Sequence, residues 1–199
     1  MLVCGIDEAG RGPIAGPVTA AAVILPERRS PTAIREHGDE RLKRLYACLA
    51  DSKLLKPTER EAAAVLIKAH ATAWAVGWSW PEEIDGMNIH RATLLAMRRA
   101  LEGIHPQPDL VLVDGLFVPD CRISAKAVVR GDRKVQAIMA ASILAKTERD
   151  SWMIAYAKIH PRYGFEVHKG YPTAEHRRRV GRLGLSPIHR KSFRISFPE

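Results

Sequence analysis

The sequence predicts an α/β fold. It reads as a mixed sheet, three antiparallel strands then parallel ones, with helices on both faces and a small helical lobe at the C-terminal end. Three observations predict it. Leu2 to Ile6 and Val18 to Leu25 are short, apolar, β-prone runs joined by a glycine-rich turn, the spacing of an antiparallel pair. Thr72 to Trp80 is a third alternating run, rich in tryptophan. Asp109 to Val113 is a continuous apolar run, the pattern of a parallel strand covered on both faces.

The first strand is followed at once by Asp7 and Glu8, then by the turn Gly10-Arg11-Gly12. Buried strands seldom end in paired charges, because an ionised carboxylate out of water is costly unless paired or metal-bound. A turn with so little side-chain bulk lets a ligand approach backbone N–H groups. Acids and turn together suggest a divalent cation held beside a phosphate. A solvated strand end with an ordinary turn is the plainer alternative. A dinucleotide fingerprint fits poorly, since Gly10, Gly12 and Gly16 run one residue too long for it and a strand follows. Adjacent residues on a regular strand point to opposite faces. Glu8 therefore joins Asp7 only if the strand breaks here, which Gly10 would help.

The second strand stops at Pro26. Residues 27–49 read as a charged surface excursion with one helical turn around Glu40 to Leu49. Asp51-Ser52-Lys53, a polar tripeptide of a kind usually solvated, precedes a helix from Glu59 to His70, with Thr58 as its cap and Glu61 as capping-box partner. On the third strand Trp74, Trp78 and Trp80 share one face; packing under helices explains them better than a base-stacking platform. Pro81 opens a short helix. Asn88 opens another, to about Gly103, with Ile89, Ala92, Leu95 and Ala96 at core spacing.

The apolar run 109–113 ends in Asp114-Gly115. In open α/β sheets ligands collect at the carboxyl ends of strands, so Asp114 is topologically equivalent to the Asp7/Glu8 pair; a turn aspartate is the plainer alternative. Arg122 to Val129 reads as a further strand. Asp132 then sits where an N-cap would stand, before a long helix from about Lys134 to His160. Ala137, Ala140, Ala141 and Ala145 give that helix a small face suited to close packing on the sheet. His168 to Thr173, a basic helix from Ala174 to Leu183, and Ser186 to Arg190 follow. The chain is expected to divide into a core over 1–159 and a helical lobe over 160–199, within one continuous domain.

No run approaches the roughly 18 apolar residues of a membrane helix, and the chain opens directly on a strand, so neither an anchor nor a signal peptide is expected. Cys4, Cys48 and Cys121 are far apart and lack a C-x-x-C, which excludes an obvious zinc knuckle and disfavours a disulfide framework. A reducing cytoplasm fits. The formal net charge is +9, and residues 160–199 hold nine Lys/Arg against three Asp/Glu. Such an excess suggests a polyanionic partner, with a solubilising basic face as the alternative.

Asp7-Glu8-Ala9-Gly10-Arg11-Gly12-Pro13 resembles the signature of type 2 ribonuclease H, specifically the bacterial ribonuclease HII family. Four further motifs agree in order: Asp51-Ser52-Lys53; Gly131-Asp132 ahead of the Ala140 to Lys146 stretch; His168-Lys169-Gly170-Tyr171; and Pro187-Ile188-His189-Arg190. The resemblance covers nearly the whole chain, residues 27–49 least. It implies a ribonuclease H-like mixed sheet. It also implies that Asp7, Glu8, Asp114 and Asp132 form an oxygen-only ligand set suited to Mg²⁺ or Mn²⁺. The motif match favours Asp132 over Asp150 as the fourth acid. Two such ions about 4 Å apart divide phosphodiester hydrolysis, one activating water and the other stabilising the departing 3′ oxygen; Asp7 is expected to bridge them.

The implied activity is hydrolysis of the RNA strand of RNA–DNA hybrids and cleavage 5′ of a ribonucleotide embedded in duplex DNA, leaving 3′-hydroxyl and 5′-phosphate ends. Gly10, Arg11 and Gly12 would sense the 2′-hydroxyl, the group that distinguishes RNA from DNA. Lys53 would contact a phosphate. Tyr171 would hydrogen-bond near the 2′-hydroxyl and stack on the following deoxyribose; without the resemblance it reads as an amphipathic surface tyrosine. A cytoplasmic monomer is expected. Two other classes stand beside this one. A non-catalytic nucleic-acid module would need no acid cluster. Another two-metal enzyme, such as a Holliday-junction nuclease, would lack the Gly-Arg-Gly turn and the tyrosine.

Overall fold

The computed structural model describes residues 1–26, 40–50 and 55–196. Most of the charged excursion and the Asp51-Ser52-Lys53 tripeptide, Lys53 included, lie outside the described residues. Five strands, β1 (Val3–Ala9), β2 (Val18–Ile24), β3 (Ala73–Ser79), β4 (Leu110–Asp114) and β5 (Ala125–Val128), form a sheet of order β3-β2-β1-β4-β5. β1 pairs antiparallel with β2, and β2 with β3, while β4 runs parallel to both β1 and β5. This is the expected mixed sheet.

The described helices are α1 (Glu40–Ala50), α2 (Pro57–His70), α3 (Pro81–Met87), α4 (Ile89–Glu102), α5 (Gln136–Ile159), α6 (Phe165–His168) and α7 (Ala174–Leu183). One sheet face packs Cys4, Ile6, Val18, Ala20, Val111 and Val113 against Ala96, Ala100 and Leu101 of α4. The other packs Ala21 and Val23 against Leu45 and Leu49 of α1, Ile67 of α2, and Ala140, Ala141 and Leu144 of α5. Each fully buried Ile or Leu contributes about 1.5–3 kcal/mol. The small face of α5 lies so close to β1 that a Cβ on Gly5 would stand 2.2 Å from the Ala137 carbonyl carbon. A third cluster joins Ala15, Met153 and Ala157 to Phe165 and Ile188, so the C-terminal segment packs on the far half of α5.

Several local readings change. α1 is an eleven-residue helix, not a single turn, because Leu45 and Leu49 give it a buried side. α2 begins at Pro57, and the Lys56 N–H donates to Glu59 Oε2 at 2.7 Å. Proline is pre-organised for the first helical position, so Thr58 lies inside the first turn and does not cap it. α5 begins at Gln136, after a short 3-10 turn over Gly131–Arg133. Asp132 belongs to that turn and does not cap α5. The tryptophans are only partly covered: Trp74 and Trp80 remain 38% exposed. β3 is an edge strand; Trp78 stacks on Trp80 at 5.9 Å, and Trp152 meets Trp80 at a tilt at 5.3 Å. No described helix is long and apolar enough to cross a membrane.

Candidate active site

β1 does not break after Asp7. Its pairing with β2 continues in regular register through Asp7↔Ala21, Glu8↔Ala20 and Ala9↔Thr19. The parallel pairing with β4 reaches Ile6↔Val113. One step further sets Asp7 level with Asp114, and in parallel strands level residues share a face. Asp7 is 6% exposed; its Oδ1 accepts the Glu8 N–H at 2.7 Å, and the Ser142 side chain of α5 also bonds to it. Burial holds the Asp7 carboxyl well above the usual carboxylate range, with the Glu8 and then the Asp114 charge adding to the rise. Glu8 is raised as well, first by burial, against the pull of Arg11, whose Nη1 lies 3.2 Å from Glu8 Oε1. The Glu8 and Asp7 carboxyls hydrogen-bond to each other. The length of the glutamate side chain, not a strand break, brings the pair together.

Asp114 Oδ1 accepts the N–H groups of Gly131 at 2.6 Å and Asp132 at 3.3 Å. The 3-10 turn thus fixes Asp114 and draws the Asp132 backbone alongside it. Arg130, just before the turn, adopts a left-handed φ of 56°, a conformation that costs a non-glycine residue about 1 kcal/mol. Among the described residues no three Asp, Glu, His or Cys side chains form a ready-made metal pocket. Three acids meet electrostatically, and the fourth enters through its main chain. Asp150, the rival, pairs with Lys146 on its own helix at 2.9 Å.

The Gly10-Arg11-Gly12 turn lies beside these acids on a frame of two buried arginines. Arg149 and Arg190 are both fully buried. Arg149 donates to the carbonyls of Pro17, Lys169 and Ala15 at 2.9, 3.0 and 3.1 Å. Arg190 donates to those of Gly16, Arg11 and Gly10 at 2.9, 3.0 and 2.6 Å. Gly10 has a φ of +95°, and a Cβ there would lie 2.1 Å from Arg149 Nε. Only glycine meets both demands.

Tyr171 is brought to the same turn. It is 40% exposed, a Cβ on Gly12 would touch its Cε1 at 3.9 Å, and Lys146 Nζ lies 5.3 Å from its ring centre. Its backbone is held by histidines. The His168 carbonyl accepts the Tyr171 N–H at 2.9 Å, and the Tyr171 carbonyl lies 2.9 Å from His176 Nδ1. His176 Nε2 meets His189 Nε2 at 3.1 Å, and His189 Nδ1 accepts the Ser186 N–H at 2.8 Å. Only one proton arrangement satisfies this chain with neutral rings: His189 donates from Nε2, and His176 accepts at Nε2 and donates from Nδ1. Burial pushes the pKa values of His176 and His189 down to about 4 and lowers that of His168.

Sequence reasoning missed Arg149, Arg190, Ser142 and the roles of the three histidines. One signal was available. Arg149 continues the four-residue series Ala137, Ala141, Ala145, which ends in the buried Met153, so it lies on the stripe that faces inward.

The family model described as Ribonuclease HII matches residues 4–198. Curated proteins of that name are close relatives: one from Chlorobium phaeobacteroides is 50% identical over 98% of this chain and 90% of its own length. One from Chromobacterium violaceum is 50% identical over 96% and 89%. Among solved structures, the ribonuclease H2 of Pyrococcus horikoshii superposes with a TM-score of 0.77 at 24% identity, covering 98% of this chain and 95% of that one. Bst-RNase HIII in complex with Mn²⁺ gives 0.66 at 18% identity, covering 92% and 63%. At these identities the structures show a shared fold.

Proposed function

The chain belongs to the ribonuclease HII family, an endonuclease family acting on the RNA of RNA–DNA hybrids, and on that premise we propose that it also cuts 5′ of single ribonucleotides in duplex DNA. The observation that carries this reading is the crowding of Asp7, Glu8 and Asp114 at the ends of two adjacent strands, beside a glycine turn against which Tyr171 rests. The products are a 3′-hydroxyl and a 5′-phosphate.

The acids fit divalent cations. The donors are all oxygen, and Mg²⁺ or Mn²⁺ would offset both the burial that chiefly raises Asp7 and Glu8 and the repulsion of the neighbouring acids that adds to it. We assign Asp7, Glu8, Asp114 and Asp132 to hold them. Such ions, when bound, activate water and stabilise the leaving 3′ oxygen. The chain's own groups do the rest. The Gly131 and Asp132 amides fix the Asp114 carboxylate. The Gly10-Arg11-Gly12 backbone meets the 2′-hydroxyl, which the reacting phosphodiester itself does not report. The Tyr171 ring stacks on the next deoxyribose, favouring an RNA-to-DNA junction. Residues 160–199 grip the duplex through α7, and Lys53 contacts a phosphate. One chain supplies every group named, which supports a monomer. The thiols of Cys4, Cys48 and Cys121 are free, which suits the cytoplasm.

The test is a duplex carrying one ribonucleotide beside a long RNA–DNA hybrid, with Mg²⁺ and Mn²⁺ supplied separately and a chelator control. Tyr171→Ala loses most cleavage at the single ribonucleotide, on the scale of about 1–3 kcal/mol for aromatic stacking; Tyr171→Phe keeps more. A Tyr171→Ala protein that cuts both substrates as the parent does removes the tyrosine from recognition. Parental cleavage in excess chelator removes the metal.

A further inference from the structure

Two arginines with no side chain exposed are an unusual component of a small sheet protein, since an isolated buried cation is costly. Neither Arg149 nor Arg190 forms a salt bridge among the described residues; their six hydrogen bonds all go to main-chain carbonyls. Five of those carbonyls, on Gly10, Arg11, Ala15, Gly16 and Pro17, belong to one short segment. The sixth, on Lys169, lies two residues before Tyr171.

The N–H and C=O of a trans peptide point in opposite directions. A carbonyl drawn inward therefore turns the following amide outward. The amide after Ala15 is that of Gly16, and it is used by the Ile188 carbonyl at 2.8 Å. The residue after Gly16 is Pro17, which has no N–H. Val18, after Pro17, is already in β2. The peptides left to face a ligand are those whose amides belong to Arg11 and Gly12, and both have carbonyls held by Arg190. Arg149 ties the same segment to Lys169, and the Gly170 carbonyl accepts the Ile14 N–H at 2.9 Å. The turn and Tyr171 are thus parts of one frame.

We propose that Arg149 and Arg190 are positioning residues for ribonucleotide selection, aiming the Arg11 and Gly12 amides at the 2′-hydroxyl and setting their distance from Tyr171. This rests on the function proposed above. A planar fork of five donors can hold three carbonyls at fixed angles; a lysine cannot. A hybrid offers a 2′-hydroxyl in every register, so a displaced turn still finds one in line. A single ribonucleotide offers one register.

The experiment compares the parent, Arg149→Lys and Arg190→Lys on a single-ribonucleotide duplex and a long hybrid, with thermal melting as the check of folding. The parent nicks the single-ribonucleotide duplex; a parent that nicks neither substrate removes the proposed function and this role with it. Each lysine variant loses up to about a hundredfold in kcat at the single ribonucleotide, as misplacement of about an ångström can produce, with KM little changed and a much smaller loss on the hybrid. Equal losses on both substrates, a loss in KM alone, or no loss overturns the assignment. Should a variant not fold, amide exchange on the parent decides, in chelator so that nothing is cut. The Arg11 and Gly12 amides then exchange readily in the free protein and are protected by the ribonucleotide duplex more than by an all-DNA duplex. Equal protection by both, or protection in the free protein, overturns it.

Discussion

Two regions of this molecule bury charge side by side and treat it in opposite ways. At the ends of β1 and β4, carboxylates are packed against one another. Burial first, and then repulsion from neighbouring acids, push Asp7 and Glu8 toward their protonated forms, with Arg11 and the contact with Asp7 pulling Glu8 back. A few residues away, Arg149 and Arg190 are buried more deeply still, yet their guanidinium groups meet main-chain carbonyls on every side. The first arrangement is incomplete without an added positive charge. The second has a carbonyl on every guanidinium nitrogen, although burial still lowers the pKa values of both arginines, that of Arg190 to about 9. Like charges crowded under cover are the candidate place for chemistry; buried charge bonded to the main chain is the candidate frame that holds it.

The largest effect expected breaks the first region. Asp114→Asn keeps an acceptor for the Gly131 and Asp132 amides but removes the charge. Turnover then falls by orders of magnitude while duplex affinity, read by titration, is largely kept. Full activity in that variant would detach Asp114 from cation binding.

Acid attacks the second region. His176 and His189 are neutral, with pKa values pushed down to about 4 from 6.5. A base so lowered binds fewer protons folded than unfolded, so stability is fully present above about pH 6.5 and is lost as pH falls toward 4. The loss is on the order of 3 kcal/mol for one ring, at about 1.4 kcal/mol per pKa unit. Melting followed from pH 7 to 4.5 shows it; a flat curve would mean that the histidine chain is not neutral. The acids respond with the opposite sign, because a raised carboxyl costs stability at neutral pH and is relieved on acidification. Asp7→Asn, in chelator, therefore melts higher than the parent. Its decline on acidification is also steeper than the parent's.

The smallest effect lies at the rim. Arg178→Ala with Arg182→Ala flattens the dependence of log affinity on log salt, at most by about 0.9 for each phosphate that is no longer neutralised. Arg178 already shares Glu175, 2.6 Å away, so the pair is worth less than two full phosphate charges. An unchanged slope would leave α7 as a solvated face.

The mixed pairing of the strands and the equivalent placing of Asp7 and Asp114 at strand ends were legible because apolar runs that end in acids are conspicuous. Glu8 was misjudged because strand alternation speaks for the backbone and not for the reach of a long side chain. Capping, the plainer alternative for Asp132, fails because a 3-10 turn intervenes, which a single aspartate before a helical pattern does not reveal. The arginine frame was hidden for a different reason. A charged residue in mid-helix reads as solvent-facing, and its carbonyl partners come from segments about 20 and 130 residues away in the chain. His168 and His189 stood in recognisable motifs, but a chain of tautomers exists only once the rings have met.

α5 carries one more consequence. Ser142 bonds to Asp7, and Arg149 holds the segment that begins at Gly10. They are seven residues apart on one uninterrupted helix, about 10 Å at 1.5 Å per residue. The helix therefore works as a ruler. On the roles proposed above, the bond that breaks and the sugar that is recognised would be read off two marks on the same rigid rod. Adding one residue between those marks would turn one against the other by about 100°, and the cut would lose its address.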